Sequence, residues 1–182
     1  DDKPLISIIT VVFNGEKYLE ETIQSVINQT YGNVEYIIID GGSSDGTLDI
    51  IKKYEDKIDY WVSEKDSGIY DAMNKGIDVA SGEWINFMNA GDRFYDNDVL
   101  SNMFHKNSKE DYAVITGAYQ LQNSELIFFP QQVKNLIKYG ELLSCHQSIF
   151  FNKTRLRNQI YYDMNFRINA DNDIMMRIIK EK

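Results

Sequence analysis

The feature that most constrains this chain is a repeated unit. A short β-branched apolar run is closed by a polar cluster, and an amphipathic stretch follows. Leu5 to Val12 reads Leu-Ile-Ser-Ile-Ile-Thr-Val-Val and is closed by Phe13-Asn14-Gly15. Such a run is the mark of a strand buried on both faces. Leu19, Ile23, Val26 and Ile27 then recur at helical spacing, which predicts a helix over residues 16–29. Val34 to Ile39 is a second strand closed by Asp40, Thr47 to Tyr54 a second helix, and Ile58 to Val62 a third strand. Ile69, Met73, Ile77 and Ala80 line one face of a third helix, and Glu83 to Met88 is a fourth strand closed by Asn89-Ala90-Gly91-Asp92. Strands alternating with helices imply an α/β fold with a mostly parallel central sheet flanked by helices. Ligands of such sheets bind beyond the carboxyl ends of the strands. Asn14, Asp40, Asp66 and Asp92 each follow a strand, so four polar positions are expected at that one end.

After residue 95 the pattern changes. A helix is predicted around Asp98–Lys106, strands near Tyr112–Tyr119 and Glu125–Phe129, a helix near Gln132–Tyr139 and a strand near Gln147–Phe151. This half should contribute mixed strands rather than regular βα units. Asp173 to Lys180 is predicted helical, and the chain stops within it, which suggests a truncated core. With 182 residues and 43% apolar content, the chain is sized for one core. One domain is therefore expected, divided into residues 1–95 and 96–182.

Composition excludes several function classes. No apolar run approaches the roughly 18 residues of a membrane-spanning helix, and the start Asp1-Asp2-Lys3-Pro4 has no signal-peptide pattern. Cys145 is the single cysteine, so no intrachain disulfide forms, which fits a reducing cytoplasm. The net charge is −9 without a Lys/Arg cluster, which argues against a nucleic-acid partner. An acidic protein handling a phosphorylated ligand needs a divalent cation or backbone N–H groups to neutralise it.

Five segments could carry chemistry. In Asp40-Gly41-Gly42-Ser43-Ser44-Asp45-Gly46-Thr47, a strand-end carboxylate can accept hydrogen bonds from a base or ribose, and glycines permit close backbone approach. A capped turn explains the same residues slightly better. The spacing is neither a dinucleotide fingerprint nor a P-loop. Asn89-Ala90-Gly91-Asp92 leaves room for a hard cation and a diphosphate, or is an Asx-type turn. In Asp66 to Gly76, Lys75 could reach a phosphate, although a solvated lysine is commoner; Gly76 inside a helix calls for close packing or a ligand. Asp171, in Asn169-Ala170-Asp171-Asn172-Asp173, is either a general base for a hydroxyl or a helix cap. His146 is a candidate contact to acceptor or phosphate, or a structural hydrogen-bonding group. Its neighbour Cys145 makes a poor nucleophilic pair with it, and with only His105 besides, a histidine-rich zinc site is not expected.

Taken in order, these segments resemble family 2 glycosyltransferases. Ile6 to Gly15 is similar to that family's opening strand, Asp40 to Thr47 to its second motif, and Asp66 to Gly76 to its third. Asn89 to Asp92 sits where its aspartate-rich metal motif lies, and His146-Gln147 and Asn169 to Asp173 resemble motifs of the acceptor half. The resemblance implies a GT-A fold, a nucleotide-sugar-binding half over 1–95 and an acceptor-side half over 96–182. It implies inverting transfer from a nucleotide-diphospho-sugar, a UDP-sugar above all, to a carbohydrate or lipid-linked acceptor. By position, Val11, Phe13 and Asn14 would flank the base and Asp40 would hydrogen-bond it. Gly42 would approach the nucleotide, and Asp66 would lie near the nucleotide or sugar. Asn74 and Lys75 would face the phosphate and donor sugar, Asp92 would hold Mg2+ or Mn2+, and Asp171 would be the base. The chain departs from the family at Asn89 and Gly91, where acidic residues are common, at Val11, and at Ala170. The usual setting is surface-polysaccharide or lipopolysaccharide synthesis in the cytoplasm, with residues beyond this C-terminus able to bind the membrane's inner face. Two other readings stay open: a nucleotidyltransferase on a related scaffold, and an inactive nucleotide-sugar-binding module.

Overall fold

In a computed structural model, residues 3–104, 112–121, 124–130, 145–166, 168 and 170–180 are described. The expected helix near Gln132–Tyr139, His105 and Asn169 lie outside them.

The β-branched runs form strands β1 (Ile6–Val12), β2 (Val34–Asp40), β3 (Tyr60–Ser63) and β4 (Trp84–Phe87). They pair in the parallel order β3-β2-β1-β4. Between them run helices α1 (Leu19–Ile27), α2 (Thr47–Lys53) and α3 (Ile69–Val79). The first helix starts three residues later than its spacing predicted, because Gly15 first makes a turn that accepts the N–H of Tyr18 and of Leu19.

The second half adds α4 (Val99–Phe104) and short strands β5 (Val114–Thr116), β6 (Tyr119–Gln120), β7 (Ile127–Phe128) and β8 (Ile149–Asn152). A single turn α5 (Lys153–Leu156) and helix α6 (Ala170–Lys180) follow. Strand β8 runs antiparallel beside β4, and β5 runs antiparallel beside β8, completing the six-stranded sheet β3-β2-β1-β4-β8-β5. Strands β6 and β7 form a separate hairpin. The mixed sheet expected after residue 95 is thus present.

Alternation along the strands sends side chains to two cores. Ile9, Val11, Ile37, Ile39, Ile85 and Phe87 pack under α3 and α6. Ile6, Ile8, Val12, Tyr36, Ile38 and Trp84 pack under α1, α2 and α4. Gly76 is explained by this packing: a Cβ there would meet Ile9 Cγ2 at 2.5 Å. The glycine lets α3 lie close on β1.

Strand order reverses in connection direction at β1, with β2 on one side and β4 on the other, so the crevice at their carboxyl ends is the expected ligand position. It is held closed at its base by Met88 N–H donating to Ile9 O and Ala90 N–H to Val11 O. Among the described residues no helix is long and apolar enough to cross a membrane.

Candidate active site

The loops after β1 and β2 are bound to each other. Asn14 adopts φ 51°. Its Oδ1 accepts from Ser44 N at 2.9 Å, and its own N–H donates to Ser43 Oγ at 2.7 Å. Gly15 N–H donates to Thr47 Oγ1, Glu16 N–H to Asp45, and Gly46 N–H to Glu16. Asn14 is therefore a clamp between two loops.

Asp40 sits at the centre of this structure and is 0% exposed. One carboxylate oxygen accepts from Gly42 N at 3.1 Å, Ser43 N at 3.0 Å and Ser63 Oγ at 2.6 Å; the other accepts from Ser43 Oγ. Gly42 takes φ +84°, which folds the loop back onto its own aspartate. The Asp40 oxygens are thus taken up by its own loop and by β3. The Val11 side chain lies in the core that holds Ile39 and Phe87, and its carbonyl accepts the N–H of Ala90. Phe13, by contrast, stands 66% exposed at the carboxyl end of β1, with its ring free to meet a ligand.

The third motif divides. Asp66 Oδ1 accepts from Gly68 N at 2.9 Å, and a Cβ on Gly41 would come within 2.5 Å of Asp66 Oδ2. The carboxylate thus lies over the Gly41 peptide, at the crevice. Asn74 turns away from it. Its amide donates to Tyr162 O at 2.9 Å and accepts from Tyr162 N–H at 2.8 Å, so both ends are used on the backbone beyond β8. Lys75 Nζ lies 2.8 Å from Glu64 and 3.6 Å from Asp71. The hydrogen bond to Glu64 holds the Lys75 ammonium above its ordinary value. Asn74 is thus engaged by the Tyr162 backbone, and Lys75 by Glu64 and Asp71.

The remaining candidates converge. Asn89, Ala90, Gly91 and Asp92 form a turn in which Asp92 N–H donates to Asn89 O at 2.9 Å. Gly91 takes φ +102°, its N–H donates to Thr22 Oγ1 at 3.0 Å, and that hydroxyl donates to Asp92 O at 2.7 Å. Thr22 is buried on α1 and went unnoticed in the sequence; a polar β-branched residue on an apolar helix face was the available signal. From the other side, Asn86 donates to Gln147 O and Ile149 O, both at 2.9 Å, and so seats the segment before β8 beside β4.

This brings His146 between two carboxyl-bearing segments. Its Nε2 lies 2.9 Å from Asn89 Nδ2, and its Nδ1 lies 3.6 Å from Asp171 Oδ2. With the amide donating, Nε2 is the acceptor and the ring N–H is on the Asp171 side. Asp171, in the first turn of α6, also accepts from Tyr162 Oη at 2.8 Å. Burial pushes the Asp92 carboxyl above its ordinary value, and a hydrogen bond from Gln147 and the His146 ring oppose it. Burial also pushes the Cys145 thiol up; a hydrogen bond with Tyr119 opposes this, and the Asp92 and Asp171 charges add to it. A thiol so placed stays protonated and is no nucleophile.

The oxygens Asn89 Oδ1 and Gln147 Oε1 are buried without a hydrogen-bond partner. Both flank Asp92. A cleft of about 500 Å³ is lined by Asp92, Gln147, Cys145, Tyr119 and Tyr95. Another groove, about 920 Å³, lies among Ser81, Lys153, Arg155 and Arg157 at the amino end of β4, remote from the carboxylates. Among the described residues no three of His, Cys, Asp and Glu form a metal-holding group.

The parallel strand order and the antiparallel strands added beside β4 are those of a GT-A-type fold. A glycosyl transferase family 2 model matches residues 7–172, and the chain belongs to that family. An uncharacterized glycosyltransferase of Mycobacterium tuberculosis is 33% identical over 182 residues, covering 96% of this chain and 68% of the relative. A PGL/p-HBAD biosynthesis glycosyltransferase of Mycobacterium bovis is 29% identical, covering 96% and 69%. Among solved structures, Staphylococcus aureus TarS 1–349 superposes with a TM-score of 0.76 at 21% identity. The mannosyltransferase PcManGT from Pyrobaculum calidifontis, in complex with GDP-Man and Mn2+, superposes at 0.71 and 15% identity. This chain covers 54% of the TarS chain and 52% of the mannosyltransferase chain, about half of each.

Proposed function

We propose that this domain transfers a sugar from a nucleotide-diphospho-sugar, a UDP-sugar first among them, to an acceptor hydroxyl with inversion. The observation that carries the reading is the convergence of Asp92, His146 and Asp171 at the carboxyl end of the sheet. Asp171 takes the proton of the acceptor hydroxyl as its oxygen forms the new bond to the anomeric carbon. The bond from that carbon to the diphosphate oxygen breaks, and its electron pair leaves with the nucleotide. Nucleophile and leaving group occupy opposite faces of that carbon, so configuration inverts. One positioned base of this kind accounts for a factor of about 10² to 10⁴ in rate.

The residues at the Asn89–Asp92 turn fit a divalent cation. Asp92 supplies a carboxylate, and the orphaned oxygens of Asn89 and Gln147 supply neutral donors of the kind Mg2+ or Mn2+ takes. Asp92, Asn89 and Gln147 are the residues that would hold the ion. When bound, the ion neutralises charge on the departing diphosphate. His146 keeps its place between this turn and the base, oriented by Asn89. Phe13 stacks on the nucleobase, and Asp66 lies against the nucleotide or sugar. Gly42 holds its loop in shape while Asp40 and Asn14 brace it. The TarS domain has been solved in complex with UDP and UDP-GlcNAc, which supports a uridine donor.

A carbohydrate or lipid-linked acceptor at the cytoplasmic face of the membrane, in surface-glycan synthesis, remains the setting we assign. The PGL/p-HBAD biosynthesis relative supports a role in a biosynthetic glycosylation. Calorimetric titration of UDP with and without Mn2+ tests the donor site, with GDP and dTDP as alternatives. Binding that needs the metal and disappears in Asp92→Ala is the expected result. Failure of all three nucleotides removes this donor reading, and nucleotide binding with Mn2+ but without any turnover leaves the inactive-module one. Consumption of a nucleoside triphosphate with pyrophosphate release would replace it by nucleotidyl transfer.

A further inference from the structure

The third motif opens α3 at the donor crevice, yet two of its side chains reach the far side of the site. Tyr70 and Asn74 are four residues apart and share one face of α3. Asn74 holds the backbone of Tyr162 by both its N–H and its carbonyl. The Tyr70 ring stacks on the Tyr162 ring at 5.0 Å and 11°, and the Tyr70 hydroxyl accepts from Ala170 N at 3.3 Å. Phe87 makes a T-shaped contact with the Tyr162 ring at 5.6 Å and 74°. Tyr162 is 3% exposed, and its hydroxyl donates to Asp171 Oδ1 at 2.8 Å. A phenol clamped at backbone and ring has one rotamer and one place for its proton.

We infer that Tyr162 is a positioning residue for Asp171, and that Asn74 sets Tyr162, so that α3 acts on the base rather than on the donor. The inference rests on Asp171 being the base. It follows that one carboxylate oxygen is fixed by the phenol, which leaves Oδ2, on the His146 side, as the oxygen that receives the acceptor's proton. Burial raises the phenol well above its ordinary range, and the Asp171 charge raises it further, so it remains a donor throughout. The Asn74–Tyr162 fork also joins the element following the Asp66 loop to the residue that orders the base.

The experiment measures UDP release from UDP-GlcNAc, UDP-glucose and UDP-galactose with Mn2+, alongside UDP affinity and Tm, in the full-length enzyme. Tyr162→Phe keeps the ring and removes only the hydroxyl. We expect kcat to fall about tenfold, with donor KM and UDP affinity within about twofold of the parent. Asn74→Ala is expected to lower kcat with donor KM likewise unchanged. A donor-contacting asparagine would instead raise KM and weaken UDP, and that result overturns the inference. So does a Tyr162→Phe enzyme with full kcat, or one whose loss merely tracks a lowered Tm. In an Asp171→Asn background, Tyr162→Phe should add no further loss, since the hydroxyl acts only through the carboxylate. A fully additive loss places the hydroxyl's action elsewhere and refutes it. If Asp171→Asn alone leaves UDP release intact, the base assignment itself fails, and that outcome is distinguishable from all the others.

Discussion

Asp40 and Asp92 both follow a parallel strand at the same end of one sheet, yet they are opposites. Asp40 is enclosed by donors from Gly42, Ser43 and Ser63 and has no surface. Asp92 is only partly covered, stands beside two oxygens that lack partners, and opens onto a cleft. A buried polar group without a partner costs about 1–3 kcal/mol. The fold meets that cost fully around Asp40 and leaves it unmet around Asp92. We propose that Asp40 serves as scaffold and that a ligand completes the set around Asp92. Asp171 belongs with Asp92: one oxygen is held by Tyr162, and the other faces His146.

The sharpest test of that division is Asp171→Asn, which keeps the shape and removes the base. Transfer should fall by about 10² to 10⁴, while UDP affinity and Tm stay near the parent values. Activity that survives unchanged would place Asp171 among the structural carboxylates and dissolve the contrast. Next in size is Asp40→Ala. It strands the N–H groups of Gly42 and Ser43 and the hydroxyl of Ser63, and should lower stability by about 3 kcal/mol, read by urea unfolding. A variant with full stability but weakened UDP binding would return Asp40 to the nucleotide. Asp92→Ala should do the reverse: stability near the parent, and Mn2+-dependent UDP affinity lower by about tenfold or more, read by calorimetry. A large loss of stability in that variant would break the comparison from its other side.

Much of this was legible beforehand, and the limit has a physical cause. The β-branched runs at Ile6–Val12 and Val34–Asp40 and the 3.6-residue spacing of Leu19, Ile23 and Val26 state local geometry, and local geometry decided those elements. The end of the sheet that collects the polar residues followed from strand direction alone. Which way each polar side chain turns did not. Asn74 reads as a donor contact until Tyr162 is known to lie beside it, 88 residues away. Asp40 reads as a turn cap or a ligand contact alike, until the positive φ of Gly42 is seen to fold the loop onto it. Tyr162 sits in a stretch with no period, so nothing local announced that its hydroxyl meets Asp171. These are facts of long-range pairing, and they decide role where composition decides only position.

The smallest effect should come from Glu35, at the amino end of the sheet, and it tests whether saturation alone makes a carboxylate structural. Its oxygens accept from Ser7 Oγ, Ser81 N–H and Ser81 Oγ, and Gly82 N–H donates to Ser7 Oγ beside them. Burial pushes the Glu35 carboxyl up, but these hydrogen bonds together outweigh it and hold the group below the ordinary glutamate value. A carboxyl depressed by folding stabilises the protein fully above its unfolded value of about 4.3. That contribution is lost as pH falls through the lower, folded value. Glu35→Gln should therefore flatten the acid side of the stability curve measured by urea unfolding between about pH 5 and pH 3. It should leave UDP binding at neutral pH untouched. The effect is modest because Glu35 is partly solvated, whereas Asp40 has no contact with water. A Glu35→Gln protein that keeps the parent's acid slope would show that the Ser7 and Ser81 bonds do not favour the charged form. Hydrogen-bond saturation would then have to be weighed with burial before it could separate scaffold from site.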